Sequence, residues 1–279
     1  MNIFTSSKSL RQYLRELKNE IVNNYYSFRI GTPNSPYHVL FKKDPYKILF
    51  ILGHMRSGSS LLTHLLITNP EIIGFGETHL TYSSEKDLKN LIFKVHSQVG
   101  DLKMDRKYVL DKILHNNKFI GGEPFSKQVS SIFLIREPKR TISSILKLKP
   151  HWNQEEALGY YCRRLQKLEN YARSINSKER SFFITHEQII NNTELVFKSL
   201  QNFLGVKQPF SEEYEVSNTT GMRFVGDSSE NIKAGRIVRN YQREEISIPP
   251  ELIEQGRQGF DRCYNTLSEY CDTIKNKKS

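Results

Sequence analysis

Ile48-Leu49-Phe50-Ile51-Leu52-Gly53-His54-Met55-Arg56-Ser57-Gly58-Ser59-Ser60 is the stretch that decides the fold. Five consecutive apolar residues ending at a glycine are what a parallel strand buried on both faces requires. Leu61, Leu62, Leu65 and Leu66 then follow at helical spacing, with Pro70 just beyond. A strand, a Gly/Ser loop and a helix in this order set backbone N–H groups at a helix N-terminus, where phosphate oxygens are held.

The loop differs in one telling way from the nucleotide triphosphatase pattern G-x-x-x-x-G-K-[ST]. Gly53, Gly58 and Ser60 match it, but Ser59 stands where the lysine for β- and γ-phosphates belongs, and Arg56 lies inside the loop. A phosphosulfate suits such a loop without an obligatory metal. Arg56 can fork onto two oxygens while Ser57, Ser59, Ser60 and the helix N-terminus serve the others. Taken alone, the same residues are also a Gly-Ser turn that caps a helix.

Outward from this stretch, Ile132-Phe133-Leu134-Ile135 and Phe182-Phe183-Ile184 are further apolar runs, each followed by a helical pattern. Between them Leu158, Tyr161, Leu165, Leu168, Ala172 and Ile175 recur at three- and four-residue steps, the mark of a long amphipathic helix. Two later helices are expected over 195–204 and 249–270. Alternating strand and helix predicts an α/β fold with a central parallel sheet flanked by helices.

Arg136 leaves the second apolar run at its carboxyl end, where ligands of open α/β sheets bind. Ser144 lies eight residues on, inside a helix that Pro138 is suited to start. Both can reach one phosphate if that helix folds back. On their own they read as a surface arginine and a helix serine.

A formal charge of +11 admits nucleic acid, an anionic membrane or an anionic small ligand. The 41 Lys and Arg residues are spread along the chain with no nucleic-acid motif beside them, so nucleic acid is not the expected partner. The longest apolar runs fall far short of the roughly 20 residues that span a bilayer, so no membrane span is expected. Residues 9–28 place Leu10, Leu14, Leu17, Ile21 and Tyr25 at helical spacing among charges, an amphipathic helix rather than a signal peptide. Gly31-Thr32-Pro33-Asn34-Ser35-Pro36 reads as a connection. The expected organisation is a helix and linker over 1–36 and one catalytic domain over 37–279. Cys162, Cys263 and Cys271 lack the paired spacing of a zinc site or redox motif, which suits a reducing cytoplasm.

Together these residues resemble the PAPS-dependent sulfotransferase superfamily, PAPS being 3′-phosphoadenosine-5′-phosphosulfate and PAP its desulfated product. Arg56-Ser57-Gly58-Ser59-Ser60 is similar to the family's 5′-phosphosulfate loop, usually written with two threonines where this chain has two serines. Arg136 and Ser144 keep the family's interval at the 3′-phosphate site. Phe183-Ile184-Thr185-His186-Glu187-Gln188-Ile189, running on to Phe203-Leu204-Gly205, resembles its later strand and helix, with His186 where tyrosine is commoner. Asn69-Pro70-Glu71 leads to Phe75-Gly76-Glu77-Thr78, where tyrosylprotein sulfotransferases carry a glutamate base. Asp111-Lys112-Ile113-Leu114 resembles their catalytic lysine region, so the active-site pattern is similar to the tyrosylprotein and carbohydrate enzymes.

The resemblance implies a P-loop nucleotide-hydrolase-like fold, PAPS as co-substrate, no metal, and a small-molecule acceptor. A homodimer is left open. Catalysis falls to Glu77 as base, with His79 its rival, and to Lys112 and Arg56 around the sulfuryl group; Lys107 and Lys118 satisfy the same charge argument as Lys112. Cofactor binding falls to Arg56, Ser57, Gly58, Ser59, Ser60, Arg136 and Ser144. The polar loop 226–237 is similar to a basic segment that closes over the cofactor in many sulfotransferases, which adds Lys233 and Arg236. The acceptor walls are expected over 78–99 and 148–159, the acceptor atom being a hydroxyl or an amine or carbamate nitrogen, as in natural-product tailoring. A P-loop kinase or triphosphatase with a degenerate loop and a non-catalytic PAP-binding protein are the alternatives.

Overall fold

The computed structural model describes residues 10–120, 126–216, 230–239 and 246–274. In chain order the elements are α1 (Leu10–Gly31), β1 (Lys47–Gly53), α2 (Ser59–Ile67), β2 (Ile72–Ile73), α3 (Asp87–Val99), β3 (Tyr108–Ile113), β4 (Val129–Ile135) and α4 (Pro138–Leu148). There follow α5 (Gln154–Ile175), β5 (Ser181–Thr185), α6 (His186–Asn191), α7 (Thr193–Leu204), α8 (Glu230–Lys233), α9 (Pro250–Tyr270) and β6 (Asp272–Thr273). The strands form one sheet in the order β2-β3-β1-β4-β5-β6, every neighbouring pair parallel.

Strand residues alternate between the two faces of a sheet, and β1 is apolar on both. Ile48, Phe50 and Leu52 enter a core shared with α1, α3, α5 and α9. Leu49 and Ile51 enter a second core with α2 and α7. From β1 the chain moves to the β2/β3 side of the sheet, while from β4 it moves to the β5/β6 side. Adjacent strands whose connections part in this way form the crevice in which open parallel sheets bind ligands. The two segments singled out in the sequence, 53–60 and 136–144, leave the sheet on either side of it.

Three features go beyond what the sequence shows. The strand β3 was not foreseen, because Asp111 and Lys112 interrupt its apolar run; both are nonetheless buried. Lys112 therefore sits on a strand, nearly all of its side chain out of solvent. In α1 the stripe Leu10, Leu14, Leu17, Ile21 and Tyr25 is exposed, and the helix is anchored instead by Tyr26, Arg29 and Ile30 at its C-terminal end. Arg29 donates to the carbonyls of Leu40 and Lys103, which fixes that end and leaves the stripe facing water. Within the expected loop 226–237, residues 226–229 lie outside the described residues, and Glu230–Lys233 form the short helix α8.

Candidate active site

The loop after β1 is set by its backbone. Arg56 adopts φ 65° and Gly58 φ 91°, the latter at the N-cap of α2. No side chain caps α2, so its first N–H groups point into the loop without a side-chain acceptor. A Cβ on Gly58 would collide with Cδ2 of His186, so glycine is required both by the backbone and by the imidazole packed on it. Ser59, in the place of the triphosphatase lysine, is buried at the start of α2.

The second segment is built onto this loop. Pro138 occupies the first turn of α4, and the Glu137 side chain caps that turn by accepting from the N–H groups of Lys139 and Arg140. The turn brings Ser144 back to the loop, where Arg56 Nε donates to Ser144 Oγ at 2.8 Å. The Arg136 guanidinium donates to the Arg56 carbonyl at 3.3 Å, while its Nε is buried with no hydrogen-bond partner. Arg56, Arg136 and Ser144 are thus one cluster. Arg56 sits across to the Ser144 side, a placement the sequence did not indicate for a group assigned to the sulfuryl end.

His54 ties the two segments together. The Arg136 N–H donates to His54 Nε2 at 3.1 Å, so the ring proton is on Nδ1 and faces the Met55 carbonyl at 2.9 Å. Burial pushes this imidazole down to about 3, opposed by the Met55 carbonyl and assisted by Arg164 and Arg136. It is a neutral cross-link at any working pH.

Glu77 and Lys112 meet at the lip of the loop. Lys112 Nζ lies 3.2 Å from Ser60 Oγ and 3.7 Å from Glu77 Oε1. His79 and His115 each approach Glu77 Oε2 at 4.0 Å. Burial raises the Glu77 carboxyl above its ordinary value, with Lys112 and His79 opposing the rise. The turn that delivers Glu77 has Gly76 at φ 130° and is pinned to β3 by Asp111. The Asp111 carboxylate accepts from Thr78 N–H (2.9 Å), Thr78 Oγ1 (2.7 Å), Tyr82 OH (2.6 Å) and its neighbour's N–H (2.8 Å). Of the alternative lysines, Lys107 is drawn to the carbonyls of Leu204 and Gly205 beyond the other end of β3, and Lys118 donates to the His79 carbonyl.

Beneath the loop runs a face of α5. Tyr160 OH accepts from Met55 N–H at 2.9 Å and donates to the Leu114 carbonyl at 3.1 Å. Tyr161 OH donates to the Arg136 carbonyl at 2.7 Å. Arg164, fully buried, donates to the carbonyls of Gly53 and Ile113, both at 2.7 Å, and to Asn116 Oδ1 at 2.9 Å. His54, Asp111, His115, Tyr160 and Arg164 were all missed from sequence. Arg164 did leave a signal, a charge on the apolar stripe of a helix between Tyr161 and Leu165.

The segment that carries Lys233 and Arg236 joins α2 through Tyr214. The Tyr214 ring lies 5.2 Å from His64, and its hydroxyl faces the carbonyls of Asn231, Ile232 and Arg236. Arg236 forms an antiparallel bridge with Glu213. Lys233 closes α8. Among the described residues no group of three His, Cys, Asp or Glu side chains is disposed to hold a metal ion.

Fold and contacts together define an α/β protein with a phosphate-type loop and a second basic cluster at the switch point of its parallel sheet. No known family's sequence profile and no curated protein matches the chain. Among solved structures it is similar to the sulfotransferase domain of the olefin synthase of Synechococcus PCC 7002, at 17% identity and TM-score 0.48 over 81% of this chain and 96% of that one. A sulfotransferase domain of the curacin biosynthetic pathway gives 18% and 0.43 over 81% and 98%. Mouse sulfotransferase SULT7A1, solved with PAP, gives 13% and 0.49 over 81% and 88%. The fold class rests on the strand order and register above, not on these likenesses.

Proposed function

We propose that the chain is a PAPS-dependent sulfotransferase acting on a hydroxyl, or an amine or carbamate nitrogen, of a small intracellular acceptor such as a natural product. One observation carries the reading: Lys112 stands within reach of both Ser60, at the end of the phosphate-type loop, and Glu77. A cation beside a loop hydroxyl and a carboxylate raised by burial are what a leaving oxygen and an acceptor proton need. The resemblance described above supports the same assignment.

PAPS supplies an activated sulfuryl group, whose bond to the bridging oxygen breaks as a bond to the acceptor forms, leaving PAP. The buried Arg136 Nε, which lacks a partner, fits an anionic ligand at that cluster. In this reading Ser57, Gly58, Ser59 and Ser60 hold the 5′ end, Arg136 and Ser144 the 3′-phosphate, and Arg56 bridges the two. Glu77 takes the acceptor's proton, and Lys112 bears charge at the leaving oxygen. Lys233 and Arg236 lie on the segment that would cover the cofactor. The acceptor lies between 78–99 and 148–159, near the half-buried Trp152. No described helix is long and apolar enough to cross a membrane, and all three cysteines are free, as a reducing compartment requires.

Calorimetry with PAP in the presence of chelator tests the co-substrate, and transfer of labelled sulfate from PAPS into a metabolite extract tests the reaction. Binding of PAP without metal and labelling of an acceptor are expected. Magnesium-dependent ATP turnover with no PAP binding would assign the loop to a phosphotransferase, and PAP binding with no labelled product would leave a binding protein.

A further inference from the structure

Hydrogen bonding between β1 and β3 ends at the pair Leu52 and Ile113, one residue after Lys112 pairs with Ile51. Beyond it β1 enters the phosphate-type loop while β3 turns into 114–118. Gly53 stays in register only with Leu134 on the β4 side. The sheet therefore holds the Lys112 backbone but not the loop beyond Gly53, nor 114–118, on the β1/β3 side. What spans that gap is one face of α5.

Tyr160 and Arg164 are one helical turn apart, so their side chains project together. Each bridges the same two segments. The Tyr160 hydroxyl joins Met55 N–H in the loop to the Leu114 carbonyl after β3. The Arg164 fork joins the Gly53 carbonyl at the loop's start to the Ile113 carbonyl beside Lys112, and Asn116 Oδ1 holds its remaining arm. Arg164 is fully buried, and burial, Tyr160, Tyr171 and Cys263 rather than a carboxylate dominate its surroundings among the described residues. A buried guanidinium is a costly occupant of a core. Its planar donors nonetheless fit two strand-end carbonyls that a smaller or apolar side chain would leave unsatisfied.

We propose that Tyr160 and Arg164 are positioning residues that fix the phosphate-type loop against the end of the Lys112 strand, so that α5 completes the catalytic spacing that the sheet begins. The inference rests on the sulfotransferase reading for its chemistry, but its geometry does not depend on the identity of the ligand. Neither residue needs to touch the co-substrate.

The test uses the full chain with Arg164→Lys, which keeps the charge and loses the fork, and Tyr160→Phe, which keeps the ring and loses the bridging hydroxyl. In crystal structures of the variants, Lys112 Nζ should move beyond hydrogen-bond reach of Ser60 Oγ, from 3.2 Å in the parent. PAPS turnover to PAP and sulfate, with water as acceptor, should fall about 10²-fold for Arg164→Lys, the scale of an ångström-sized misplacement. For Tyr160→Phe the loss should be about 10-fold, as for one lost hydrogen bond. PAP affinity by calorimetry should fall far less than turnover, since the 3′ cluster is not touched. In a Lys112→Met background the same substitutions should cost little further, because their effect runs through Lys112.

An unchanged Lys112 to Ser60 distance, or losses that multiply with that of Lys112→Met, overturns the proposal. If Arg164→Lys fails to fold, the isosteric Tyr160→Phe still decides it. Absence of PAP binding by the parent chain would sink the sulfotransferase reading alone, since the distance can be read without it.

Discussion

Burial holds the Glu77 carboxyl above its ordinary value while Lys112 and His79 pull it down, and this opposition fixes what pH should do. A base must be ionised to work, so the acid limb of turnover should lie above the ordinary carboxylate range and disappear in Glu77→Gln. The raised value also means that the folded state holds this proton more tightly than the unfolded chain does. The stability it contributes is present below the ordinary carboxylate value and lost as pH rises through the folded one. Glu77→Gln should lower turnover about 10²- to 10⁴-fold with little change in PAP affinity, and His79→Asn far less. Retained turnover in Glu77→Gln with none in His79→Asn would hand the base to His79. In the 3′ cluster, Arg136→Ala should weaken PAP much more than adenosine 5′-phosphosulfate, which lacks the 3′-phosphate. Equal losses in calorimetry would remove Arg136 from that role. Each of these residues could be picked from the sequence because it sits in or beside a motif. The roles of His54, inside the motif, and of Arg164, a charge on an apolar stripe, could not be read there, since they depend on which carbonyls and N–H groups the fold carries to them.

At the scale of elements, legibility followed the chemistry of each strand. β1, β4 and β5 are apolar runs and were readable as strands; β3 was not, because buried Asp111 and Lys112 look like surface residues until Thr78, Tyr82 and Glu77 arrive to satisfy them. Two-residue strands such as β2 and β6 carry no periodicity at all. The junction of loop and α2 is the most constrained point. Gly58→Ala meets both an unfavourable backbone, at φ 91°, and the His186 ring. It should cost about 1–3 kcal/mol in urea unfolding. Adding His186→Ala should relieve the clash and leave about 1 kcal/mol for the backbone. A double variant no better than the single one would mean that the imidazole is not what fills that space.

For the whole molecule the layers and the helix α1 are legible in the sequence, but the exposure of its stripe is not, since an apolar stripe tells which face is hydrophobic and not whether anything covers it. Leu17, exposed on that stripe, should accept Leu17→Glu within about 0.5 kcal/mol of parent stability. Tyr26, buried at the anchored end with a hydroxyl that has no partner, should tolerate Tyr26→Phe with a gain of about 1 kcal/mol. A loss of that size in a thermal melt would show that the hydroxyl is bonded. The strand order has a further consequence, for how the chain is made. β1 lies at the centre of the sheet, yet it precedes the sheet's other strands in the chain, and its two neighbours follow only about 60 and 80 residues later. Until they emerge, Ile48 to Leu52 is a naked adhesive segment on a growing polypeptide. The nascent chain must be shielded through that interval, and chaperone demand should peak before β4 has been synthesised.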